Sequence, residues 1–290
     1  MNLPRPFPSN NPKPSRRTHA GFTAVELLAV IATLALLASV MATTMAGSRA
    51  DISAVQCRNN LKQLAVAWTM YADDNRGQLV YNRDGSQAGL AVGNQAWVAG
   101  WLDWQTGQPA GADTNVAMLV NHLQYPYGAF LGPYVRDPAV FKCPADKSEV
   151  TIGGLRRPRA RSVSMNNYLG VNSRTWTYPS RYTICTKMAQ IKSPAGMFVI
   201  LDELADSIND GFFTSDPDTA FQIIDRPANY HGGAGSFSFA DGHAENHRWK
   251  DPRTSPTPFF GNLIPLNINI PNDVDIPWLQ QRAAGVPVFP

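Results

Sequence analysis

Residues 21–47 read GFTAVELLAVIATLALLASVMATTMAG, and the use made of this block decides what the rest of the chain is attached to. From Leu27 to Ala42 only Thr33 and Ser39 are polar, and each can return its hydroxyl to a helical carbonyl. Counted from Phe22 to Met45, the run is long enough as a helix to span a bilayer core of roughly 30 Å. Glu26 stands near its start. A carboxylate there costs about 2.5 kcal/mol or more on insertion scales, so it needs a purpose.

Working outward, residues 1–20 (MNLPRPFPSNNPKPSRRTHA) carry five prolines and only basic charges: Arg5, Lys13, Arg16 and Arg17. Such a segment is a poor former of stable elements. Its charge holds this end in the cytoplasm, so the remainder of the chain is exported. A secretory signal peptide would find small residues for cleavage at Val40 and Ala42, but it gains nothing from Glu26. An uncut anchor has the same difficulty. A cut after Gly21 gives Glu26 a use. Phe22 then carries a free amine, and Glu26 lies one helical turn further on the same face. The amine of the same or a neighbouring subunit can pair with the carboxylate, and two charges that are costly alone become tolerable together.

Gly21-Phe22-Thr23-Ala24-Val25-Glu26 followed by an apolar helix resembles the processing site of type IV pilins and type II secretion pseudopilins. The resemblance implies that a prepilin peptidase cuts after Gly21 and methylates Phe22, and that Glu26 serves assembly. The leader here is longer and richer in proline than is usual for that family. The Arg16-Arg17 pair lacks the flanking pattern of twin-arginine export. Further resemblance to a large prepilin-like family lies in Cys57–Gln63, Tyr71–Gly77, Phe141-Lys142-Cys143-Pro144-Ala145-Asp146, Arg161–Asn166, and His231 followed after nine residues by Asp241-Gly242. The implied partners are a prepilin peptidase, other pilin-like subunits and inner-membrane lipid, with the C-terminal part extracytoplasmic. The subunit is expected to be structural, not an enzyme.

Beyond the apolar block, Cys57, Leu61, Leu64, Trp68 and Tyr71 are spaced by four, three, four and three, which predicts one buried helical face. Arg58, Asn59, Lys62 and Thr69 fall opposite. Asp73–Gly77 is a polar stop with a glycine cap candidate. A helix from Phe22 to about Asn75 would measure on the order of 80 Å, and Gly47 is a place for it to bend. With 23 prolines and 22 glycines, mostly after residue 76, the remainder is a loop-rich body of short strands. Met197–Leu201, ended by Asp202, predicts a buried strand. Ser236–Ala240 predicts a half-buried one, turning at Asp241-Gly242 in a type I′ hairpin and returning over His243–Trp249. Residues 251–290 are expected to wrap the surface or stay loose. The expected fold is α+β: a long N-terminal helix, transmembrane in its first half and amphipathic in its second, packed on a small antiparallel β-sheet head with long loops. The expected divisions are leader 1–21, transmembrane helix 22–46, amphipathic helix 47–76 and head 77–290.

Several residues invite a chemical reading. Cys57 and Cys143 can form a disulfide if the head is exported, or remain buried thiols, and Cys185 is then the spare. His231, Asp241, His243 and His247 offer metal-ligand types, but the strand pattern does not make them converge, so no metal or cofactor is assigned. Trp97, Trp101 and Trp104 can form an aromatic binding platform for a glycan or partner, or ordinary core packed at helical spacing. Arg156, Arg157, Arg159 and Arg161 read as a solvated basic loop, and the net charge of +3 is too small to argue for nucleic acid. There is no Ser-His-Asp or Cys-His arrangement with supporting context, no phosphate-binding glycine loop and no H-E-x-x-H. Mass spectrometry of the mature N-terminal peptide separates the topological readings. N-methylated Phe22 is expected; a start at Thr43 would indicate a signal peptide, and Met1 an uncut anchor.

Overall fold

The computed structural model describes residues 23–93, 95–171 and 182–285, with the backbone alone for 38–51 and 86. The chain divides into two compact units, Met1–Gly47 and Ser48–Pro290. Helix α1 is assigned over Ala24–Asp74 and is shared between them.

In the first unit, Thr23 and Glu26 form a reciprocal cap. The Thr23 amide donates to Glu26 Oε2 at 2.8 Å, and the Glu26 amide donates to Thr23 Oγ1 at 3.3 Å. Thr33 Oγ1 returns to the Val30 carbonyl at 2.9 Å, as its sequence context requires. The membrane-spanning first half is not found. Among the described residues no helix is long and apolar enough to cross a membrane. The single long spine packed on a head is corrected too, since only the part from Ser48 onward belongs to the head's unit.

In the second unit, Cys57, Leu61, Leu64, Trp68 and Tyr71 are all buried, as the spacing predicts. Four of them, from Leu61 on, join the same core as the central sheet. The helix ends in a Schellman arrangement in which the Gly77 amide reaches the Ala72 carbonyl at 2.7 Å. The left-handed residue that opens this turn is Arg76, with φ 59°, one position before the glycine. Three single-turn helices follow: α2 (Gly85–Ala88), α3 (Ala117–Val120) and α4 (Gly132–Val135). Strands β1 (Glu149–Ile152) and β2 (Leu155–Pro158) form a separate hairpin.

The central sheet contains β3 (Val163–Asn166), β4 (Phe198–Asp202), β5 (Phe212–Phe213), β7 (Ala234–Phe239) and β8 (Ala244–Arg248). Its order is β5-β3-β4-β7-β8. It is mixed, because β3 and β5 run parallel; the remaining pairs are antiparallel. The expected all-antiparallel sheet is corrected on this point. Short β6 (Gln222–Ile223) pairs with β9 (Ile268–Asn269).

Strand β7 is buried at all six positions. Its serines do not face water: Ser238 Oγ donates to the Ile200 carbonyl at 3.1 Å, and Ser236 Oγ to Asn246 Oδ1 at 3.0 Å. The hairpin sits where the Asp-Gly pair places it, but the turn type differs. Gly242 alone takes a positive φ (90°), its amide bonds the Phe239 carbonyl, and the Phe239 amide bonds the His243 carbonyl. That is a type I turn with a glycine bulge, where a type I′ turn would need positive φ at both central residues.

The C-terminal stretch holds a helix, α5 (Ile276–Ala284), with Pro277 in its first turn and left-handed Gly285 just past its end. Leu279 and Ala283 enter the main core, and Asn166 Nδ2 donates to the Ala283 carbonyl at 2.8 Å.

The arginine run divides. Arg156 and Arg157 lie exposed on β2, whereas Arg159 and Arg161 are almost fully buried, correcting the solvated loop. Arg159 pairs with Asp113 at 2.9 Å and donates to the Ala205 and Ile208 carbonyls. Arg161 donates to the Asp210 and Gly100 carbonyls at 2.6 and 3.1 Å, and burial brings its pKa down to about 10.

Burial also pushes up the carboxyls of Glu203, Asp210 and Asp225, the last to about 7 despite the amide that Thr214 donates to it at 2.6 Å. Folded Asp225 therefore holds its proton to about pH 7, while the unfolded residue releases it near pH 4. Its stabilising contribution is complete below about pH 4 and is lost as pH rises to about 7. Asp225→Asn is expected to remove that slope, read as urea midpoints between pH 4 and 8.

Candidate functional site

Four elements of the head unit deliver four donor side chains to one point. Cys57 comes from the buried face of α1, the face set by its 3.6-residue period. Cys143 follows the 3₁₀ turn Pro138–Phe141, which Asp137 caps at the Ala139 amide. The Cys143 amide donates to Ser162 Oγ at 2.8 Å, next to β3. The Asp146 amide closes back on the Cys143 carbonyl at 3.0 Å, with Pro144 at the position that favours this turn. Asp202 ends β4 opposite Val163. His231 opens the tight turn through Gly232 and Gly233 that feeds β7.

Cys57 Sγ lies 2.7 Å from Asp202 Oδ2, Cys143 Sγ lies 3.3 Å from His231 Nε2, and His231 Nε2 lies 3.6 Å from Asp202 Oδ2. All four donor atoms fall within 4.8 Å of one another. The cysteines and Asp202 are at most 1% exposed, and His231 is 9% exposed. Among the described residues this is the group of thiol, imidazole and carboxylate donors placed to hold a metal ion. The three cysteines are free thiols, so Cys57 and Cys143 are neighbours, as their pairing requires, without a bridge between them.

Burial, then the adjoining Cys143 and Asp202, drive the Cys57 thiol well up. Cys143 moves down, because the Cys57 hydrogen bond and the imidazole outweigh burial. Burial alone would lower His231, but Asp202 and Cys143 carry it up to about 9. This resembles a nucleophile paired with a base, and the geometry speaks against it. In a nucleophile triad the carboxylate holds the nitrogen opposite the nucleophile. Here Asp202 and Cys143 both face Nε2, while Nδ1 has no partner. The side chains converge on a point where a relay would string them out.

The histidine and aspartate of the nine-residue spacing do not meet. His231 precedes β7 and Asp241 follows it, so the spacing is one strand crossing the sheet, about 20 Å over six residues. Asp241 is bound within the hairpin to His243 Nδ1 at 2.6 Å. His243 stacks on Phe239, and His247 stacks on Trp278 at 3.6 Å. Asp241 and His243 pair with each other, His231 and His247 stand apart from them, and Asp202 joins His231 instead.

Trp97 is core. It stacks on Phe141 and donates to Asn82 Oδ1 and the Gly211 carbonyl, both at 3.1 Å, and residues 95–104 contain no helix. Trp104 lies beneath the Arg159 guanidinium. Gly21 and Phe22 lie outside the described residues; Glu26 is described and exposed. Comparison with family models, with curated proteins and with solved structures returns no match.

Proposed function

We propose that the chain is a pilin-like or pseudopilin-like structural subunit, cut after Gly21 by a prepilin peptidase, methylated at Phe22, and assembled through the helix that follows. The observation that carries this reading is the surface of residues 23–37, where every side chain is exposed although nearly all are apolar. An exposed and mostly apolar helix surface of this kind requires a surrounding of like helices or of lipid. Neighbouring subunits supply that surrounding in the assembly.

Glu26 supports the same reading and also has a purely local use. Its carboxylate closes the cap with Thr23 at the helix start. That cap also holds the carboxylate at the end of the helix, where cleavage would create the amine of Phe22. Capping and charge pairing separate by substitution, because glutamine can close the same cap without a charge.

Glu26→Ala and Glu26→Gln are both expected to leave processing intact and to reduce assembly at least tenfold. The readout is cross-linked multimers and the sheared surface fraction from the native host. Normal assembly of Glu26→Gln would limit Glu26 to the cap and overturn the pairing. Normal assembly of both variants would remove Glu26 from assembly altogether.

A further inference from the structure

We infer that Cys57, Cys143, Asp202 and His231 form a structural zinc-type metal site that fastens helix α1 to the central sheet. The donor set, two thiols with one imidazole and one carboxylate, is borderline-soft and suits zinc above harder divalent ions. A tetrahedral ion with bonds of about 2.0–2.3 Å holds its ligand atoms roughly 3.3–3.8 Å apart. The Cys143–His231 and His231–Asp202 separations of 3.3 and 3.6 Å already match those edges. The Cys57–Asp202 edge, at 2.7 Å, has to open by less than about 1 Å.

Charge points the same way. A carboxylate, an imidazole and two thiols share one buried space, and Asp202 Oδ1 and His231 Nδ1 have no hydrogen-bond partner. Uncompensated buried charge is costly, and a divalent cation offsets the ionised ligands. On binding, the two cysteines ligate as thiolates and His231 as the neutral imidazole through Nε2, and the protons these three groups carried pass to solvent. Four protein ligands fill the tetrahedron, which describes a closed structural site with no position left for a substrate water. Cys143 also borders an open groove of about 690 Å³ that includes Gln56, Asn60, Asp146 and Arg159, a path by which the ion can reach the ligands.

The four residues stand on α1, the Cys143 turn, β4 and the turn before β7, so binding ties together segments 145 residues apart in the chain. The site is independent of assembly: its ligands all belong to the head unit, and Glu26 plays no part in it.

The test uses the full-length chain purified without chelator. Elemental analysis should find about one zinc per chain. Cobalt substitution should give a thiolate-to-cobalt charge-transfer band with the intense visible bands of a tetrahedral ion. Cys57 and Cys143 should resist a thiol reagent until chelator is added. His231→Gln and Asp202→Asn should each weaken zinc at least about tenfold in competition with a chromophoric chelator, while Cys185→Ser should bind as the parent does. Should a ligand variant fail to fold, the cobalt spectrum and zinc affinity of the parent chain decide the matter. A metal-free chain that neither binds added zinc nor melts higher with it would overturn the site. So would a peptide map showing Cys57 and Cys143 joined as a disulfide.

Discussion

A buried polar group must find a partner, and the head is arranged around that constraint. Strand β3 shows it most directly. All four of its residues are buried, yet two of them are Ser164 and Asn166. Ser164 Oγ reaches the Asp210 carbonyl, and the Asn166 amide bridges the carbonyls of Phe198 and Ala283, joining β4 to α5. Just before the strand, Arg161 and Arg159 spend their donors on carbonyls of loops that have no ladder partners of their own. In a body with so little regular structure, buried side chains satisfy the backbone where a larger sheet would have used strand pairing.

The same constraint explains why the cysteine cluster stands apart. Most donors of the interior arginines and asparagines are met by carbonyls or carboxylates, although Arg161 Nε and Arg226 Nε are not. At Cys57, Cys143, Asp202 and His231 the groups meet mainly one another, and two polar atoms remain without a partner. The cluster also sits where α1 joins the sheet. Leu61, Leu64 and Trp68, on the same face of α1 as Cys57, belong to the core shared with that sheet. An ion at that point offsets the charge and secures the junction together.

Much of this was legible in sequence where the relevant neighbours are local. The buried face of α1, the strand before Asp202 and the Asp241-Gly242 reversal each rest on periods or turns within a few residues. Helix α5 was legible in principle, with Pro277 at its start and Gly285 past its end, but the prolines around it read as loop. Arg159 and Arg161 were misread because their partners lie 46–61 residues away. Asp202 was read only as a strand terminator. His231 was grouped with the histidines nearest in sequence, whereas one strand of the sheet separates it from them.

The sequence by itself determined the apolar block with Glu26 at its head and the amphipathic face through Cys57. Hydrophobic period and cap chemistry act over one or two turns, so a linear reading can resolve them. Only the tertiary structure decided which of the polar residues are interior, that the sheet is mixed, and that Asp202 and His231 complete the set around the two cysteines. Those outcomes depend on which distant segments are brought together when the chain buries its apolar surface, and no local pattern encodes that choice.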